Sequence, residues 1–174
     1  MKYLIALIIM IVTAACHYTG PDSSIVPSEE AKIDSSLEGM SSNMIISPGE
    51  WQEDSIFNDG SKPPPWSIAG INDGNQLKIF IKFLRLWVEK GNRDSIAAHL
   101  QYPLRNLRMI NSPSVFLKNY DRLFNKKVIK ALEAQKLSQI FRNSQGAMIG
   151  NGELWISNVS PGLTDVFKIV SINN

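Results

Sequence analysis

The sequence predicts an α+β domain in which N-terminal helices pack on a curved antiparallel sheet. Two observations predict it. Between about residues 75 and 135 apolar residues recur in steps of three and four, the period of a helix with one buried face. From Ile140 onward the pattern changes to short apolar runs separated by turn residues, the mark of a meander of strands. Helices first and an antiparallel meander second argue for α+β, with the helices on one curved face of the sheet.

The first helix is expected from about Asn75 to Lys90, with Asp73 as its cap. Leu77, Phe80, Ile81, Leu84, Trp87 and Val88 form one stripe, while Lys78, Lys82, Arg85 and Glu89 fall towards the other side. Ile79, Phe83 and Leu86 widen the stripe, so the helix should be deeply embraced, and Gly91 should end it. Asn92 or Asp94 then caps a shorter helix, Ser95 to Gln101, which Tyr102-Pro103 stops. A strand is expected over Leu104–Ile110. Asn111-Ser112-Pro113 opens a helix that runs to Phe124, and after a break at Asn125 another runs from Val128 to Gln135. Ala147-Met148-Ile149 and Leu154-Trp155-Ile156 flank Gly150-Asn151-Gly152, a strong hairpin signal. Pro161-Gly162 is a second turn, and Val166–Ile172 is a closing strand.

Upstream of these elements, Met1–Cys16 reads MKYLIALIIMIVTAAC. One cation, a short apolar run from Leu4 to Val12 and small residues before the single cysteine make a secretory signal. The run is shorter than the roughly 20 apolar residues that a spanning helix needs. Thr13-Ala14-Ala15-Cys16 resembles a bacterial lipobox, with Thr13 where that family has Leu, Val or Ile. The resemblance implies cleavage after Ala15 and acyl chains on Cys16, which would hold the protein on a bilayer without a spanning helix. His17, and not an aspartate, follows the cysteine, which in that family implies the outer membrane, periplasmic face. Residues 1–15 are thus expected to be a signal peptide and 16–65 a lipidated tether. The tether assignment rests on sparse, aperiodic large apolar residues among Ser, Asp, Glu, Gly and Pro. Lys62-Pro63-Pro64-Pro65 closes the tether, and the globular domain is expected over 66–174.

About 159 residues follow the signal, a one-domain length, and an apolar fraction of 44% is enough for a packed core. The net charge of +2 comes from interspersed acids and bases, so no nucleic-acid surface is expected. A lone cysteine gives no internal disulfide. Two histidines and one cysteine are too few favoured ligands for a zinc site, and no nucleophile elbow or phosphate loop is present. No metal, cofactor or catalytic set is therefore expected.

Leu86-Trp87-Val88-Glu89-Lys90-Gly91-Asn92, then Ile96-Ala97-Ala98-His99-Leu100, then strands ending in Phe167-Lys168-Ile169-Val170 resemble the NTF2-like superfamily of cone-shaped folds. Tyr102-Pro103-Leu104, Phe116–Asp121 and Gly146–Trp155 resemble uncharacterised exported bacterial proteins. The likeness spans roughly Gln76 to Ile172 and implies a whole or partial cone. It implies no one activity, because the fold serves enzymes, carriers and adaptors. The layout of anchor, tether and small domain is also similar to immunity lipoproteins that neutralise antibacterial effectors, including lipase-like ones.

If a cone exists, His99, Tyr102, Asp121 and Glu153 are the polar residues expected to reach its pocket. A carboxylate held there among apolar groups would have a raised pKa and could act as acid or base. Three of them have a plainer reading. His99 is a satisfied interior or cap residue, Asp121 pairs with Arg122 or Arg105, and Glu153 faces water beside the hairpin. Two functions follow: a non-enzymatic lipoprotein whose periplasmic domain binds a protein partner such as a toxic effector, or an NTF2-like small-molecule binder or enzyme.

Overall fold

A computed structural model describes residues 46–160 and 164–174. The signal, Cys16 and the first part of the expected tether lie outside the described residues, as does the Pro161-Gly162 turn.

The described residues open with a short helix, α1 (Pro48–Trp51), and a 3-10 turn at Trp66–Ala69. The long helix α2 (Gly74–Glu89) follows, one residue displaced from its expected span. The Asp73 side chain caps it by accepting from the Asn75 N–H at 2.8 Å. Gly91, at φ 62, lets the chain turn away. Leu77, Phe80, Ile81, Leu84 and Leu86 are buried. Lys78 departs from its expected outward position and is only 2% exposed. The reason is the segment before Trp66, which lies against that side of α2 and accepts the Lys78 ammonium at the Trp51 carbonyl, 2.6 Å away.

The expected tether to Pro65 therefore needs correction. From Ile46 the chain is docked on the domain, with Ile46 and Phe57 buried and with polar side chains bonded to the body. Composition alone misses this because the docking is mostly charged and leaves no apolar period.

Helix α3 (Arg93–Ala98) is capped by Asn92, whose Oδ1 accepts from the Ser95 N–H. Residues 99–105 then run beside the last strand. The His99 carbonyl accepts from the Ile169 N–H, and the Gln101 and Arg105 N–H groups donate to the Ile169 and Val170 carbonyls. The strand expected over Leu104–Ile110 is absent. Leu104, Leu107 and Ile110 bond to one another through the backbone and close a loop, with Leu104 and Ile110 fully buried inside it.

The helix expected over Pro113–Phe124 is divided into α4 (Pro113–Lys118) and α5 (Tyr120–Leu123). The break falls at Asn119, whose side-chain amide donates to the Val115 carbonyl at 2.9 Å and competes with the helix ladder. Helix α6 (Lys126–Ala134) begins earlier than expected because Asn125 caps it, accepting from the Lys127 and Val128 N–H groups.

Among the described residues four strands follow: β1 (Arg142–Asn143), β2 (Gly146–Ile149), β3 (Leu154–Asn158) and β4 (Phe167–Ile172). They pair in sequence order as an antiparallel meander, curved and unclosed. The fold is α+β, as the change of period predicts. Ala147 opposes Ile156, Ile149 opposes Leu154, and Leu154 opposes Ile172, so these side chains share the inner face. With Leu77, Ile81, Leu84, Phe116, Val128 and Leu132 they form one apolar core. Among the described residues no helix is long and apolar enough to cross a membrane.

Candidate functional site

The four residues expected at a cone's pocket do not converge. The His99 ring stacks on Trp87, with centroids 4.4 Å apart, and its Nδ1 lies 2.8 Å from the Ser95 carbonyl. The Tyr102 hydroxyl donates to the Ala97 carbonyl at 2.9 Å, and burial pushes its pKa up to about 12. Asp121 is on the surface and pairs with Arg93, not with Arg122 or Arg105. Glu153 is 7% exposed, so it is neither solvated nor in an apolar chamber. It accepts from the Asn151 N–H at 2.6 Å and lies 3.7 Å from the Lys127 ammonium.

Of the four, Glu153 lines a concave site. An open groove of about 460 Å³ runs between α6 and the β2–β3 turn. Lys127, Lys130 and Lys136 line it, with Gln135, Gln139, Asn151 and Glu153. A second hollow of about 300 Å³ continues it past Phe57, Phe141 and Met148, and shares Asn58, Gln135, Gln139 and Asn151. Lys127 and Lys130 face the groove because they are one helical turn apart. Among the described residues no carboxylate lies within ion-pairing distance of Lys130 or Lys136. Three ammonium groups against one carboxylate make the groove electropositive.

The walls are held by bonds that sequence reasoning did not find. Gln135 follows α6; its Oε1 accepts from the Gly150 N–H at 2.8 Å, and its Nε2 donates to the Lys136 and Gln139 carbonyls. This ties the helix end to the hairpin. Arg85 donates to the Leu132 and Gln135 carbonyls, so α2 supplies a cation to the unpaired carbonyls at the α6 terminus. Desolvation lowers the Arg85 pKa, partly offset by Glu50 and Glu133. Gly150 sits at φ 65, and a Cβ there would collide with the Glu153 carboxylate and Ala131. The turn glycine thus admits both the left-handed conformation and the close approach of α6.

The far wall comes from the docked N-terminal segment. Gln139 donates to Asp54 at 2.5 Å and to Asn58 at 2.9 Å, and Asn58 lines the groove. Beneath it, Arg142 on β1 is 1% exposed at its side chain and makes a two-pronged ion pair with Glu53. The guanidinium also lies 3.7 Å from the centre of the Trp66 ring. A basic row on one helix, Lys78, Lys82 and Arg85, facing an acidic run, Glu50, Glu53 and Asp54, was the available signal for this docking.

Among the described residues no group of three or more His, Cys, Asp or Glu could hold a metal ion. No family model matches this chain, and neither does any curated protein or solved structure.

Proposed function

We propose that the chain is a lipoprotein, acylated at Cys16 and held at the periplasmic face of the outer membrane, whose domain binds a protein partner. The partner places an acidic segment in the groove between α6 and the β2–β3 turn. The observation that carries this reading is the groove itself: three lysines and a row of carboxamides, fixed by the Gln135–Gly150 and Gln139–Asn58 bonds, against one carboxylate. Ammonium groups steer an acidic segment, and amides that already hold their positions lose little freedom when it arrives. Inhibition of a secreted toxic effector is the concrete form of the proposal. Occupying an effector's surface needs a shaped face and no reactive side chain.

The groove is tested by titrating the isotope-labelled protein with a hexaglutamate peptide and, separately, with hexalysine. Amide shifts clustered at Lys127–Lys136 and Gly150–Glu153, seen with the first peptide alone, support the reading. Shifts spread over other basic faces, or none, contradict it. The anchor is tested by the mass of the membrane-extracted chain, which should lack residues 1–15 and carry acyl mass on Cys16.

A further inference from the structure

The residues from Ile46 to Ser61 are bound to the domain in an unusual way. None of them belongs to the main apolar core, whose members begin at Ala69. Ile46 and Phe57 are the buried apolar residues of the stretch, and Trp51 and Ile56 remain exposed. What joins the stretch to the body is charge and amide. Lys78 donates to the Trp51 carbonyl, Lys82 pairs with Glu50 at 3.1 Å, Arg142 pairs with Glu53, and Gln139 holds Asp54 and Asn58. One backbone bond is added, from the Asp54 N–H to the Ser138 carbonyl.

An attachment of this kind differs from an apolar one in what happens on release. Parted ions recover their hydration, so a half-buried ion pair contributes little net holding free energy. The Arg142 Nε, which is buried and has no partner in the docked state, gains water when Glu53 leaves. Lys78, whose pKa burial lowers, gains water in the same way. The two sides are complementary enough to find each other and too polar to fuse into the core.

We propose that Ile46–Ser61 is a releasable strap, and that its release removes one wall of the groove. The strap supplies Asn58 to the main groove and Phe57, Asn58 and Asp59 to its continuation. It is also the stretch of chain that leads back towards Cys16. Freed, about 16 residues add roughly 50 Å of reach to the tether. A segment bound in the groove touches strap and body together, so it holds the strap down. By linkage, a docked strap strengthens that binding by the same factor. This coupling rests on the proposed groove; the releasable strap does not.

Hydrogen exchange on the full chain tests the strap without any partner. The amides of Asp54, Phe57 and Gly60 are compared with those of Leu84 and Ile156, in the parent and in a Glu50→Gln, Glu53→Gln variant. The expected result is strap exchange at least tenfold faster than core exchange in the parent. In the variant the strap should exchange at least tenfold faster again, with the core unchanged. Strap and core exchanging together would make the stretch part of the body and overturn the proposal. A strap with no protection in the parent would overturn it too, as would a variant identical to the parent. The Leu84 and Ile156 amides report in the same experiment whether the variant is folded. For the coupling, the variant should bind hexaglutamate at least threefold more weakly, and equal binding refutes it. If the parent binds no peptide, the groove reading fails while the strap result stands.

Discussion

Arg142 and Glu53, 89 positions apart, form the deepest ion pair among the described residues, and the guanidinium carbon lies over the Trp66 ring, 3.7 Å from its centre. The pair joins the sheet to a stretch that composition assigns to a tether. A locked buried charge that loses its partner costs about 3–5 kcal/mol. Here the partner's segment can leave, and Arg142 can then meet water. Glu53→Ala should therefore lower stability by less than about 3 kcal/mol. Arg142→Ala removes the stacking on Trp66 as well and should cost more. Denaturant unfolding of both variants checks the order.

The strap should loosen in acid. Burial raises the Glu50 pKa, but bonds from the Ser47 N–H and hydroxyl and from Lys82 outweigh it, and the net shift is downward. A carboxylate with a depressed pKa binds fewer protons folded than unfolded. Its contribution is complete above the ordinary glutamate value of about 4.3 and fades as pH falls through the folded value. Of these bonds only the one from Lys82 joins the strap to the body, so through that pair strap amides should lose protection as pH falls below the ordinary glutamate range, before the core does. Glu50→Gln should flatten that dependence.

Leu132 is fully buried where α6 meets the core, and its carbonyl is held by Arg85. Leu132→Ala should cost about 2–5 kcal/mol. Because α6 carries Lys127 and Lys130, the same variant should weaken acidic-peptide binding, which a matched titration would reveal.

Asp165 clamps two distant parts of the chain. Its carboxylate accepts from the Asn72 and Asp73 N–H groups, from the Asn72 side chain, and from Asn158 on β3. This fixes the start of α2 against the end of the sheet. Asp165→Ala hands mostly exposed donors over to water, while the Asn158 amide keeps the Gly70 carbonyl, and should cost about 1 kcal/mol, measurable as a lowered denaturant midpoint with an unchanged slope.

The parts of the fold that were legible in the sequence are those with a local cause. Asp73 and Ser112 mark helix starts because their side chains bond within three residues. Gly150-Asn151-Gly152 marks the hairpin because the turn demands positive φ at its glycines. Leu104–Ile110 misled because its backbone bonds close a loop on itself, which no side-chain period records. Asn119 misled because it is a neutral helix residue until its amide turns back on Val115. The site was the least legible. Glu153 was named, yet the lysines beside it looked like an ordinary solvated face. Gln135, Gln139 and Arg142 act through partners 15 to 89 positions away.

The most direct test uses a photo-crosslinking residue in place of Lys130, in the groove, and of Met109, exposed and outside its lining. Both are made in the full chain in its own cells, alone and with Lys127→Glu and Lys136→Glu. The account predicts one dominant protein adduct from position 130, lost on charge reversal and absent from position 109. The same adducts from both positions, or an adduct at 130 that survives charge reversal, would contradict it.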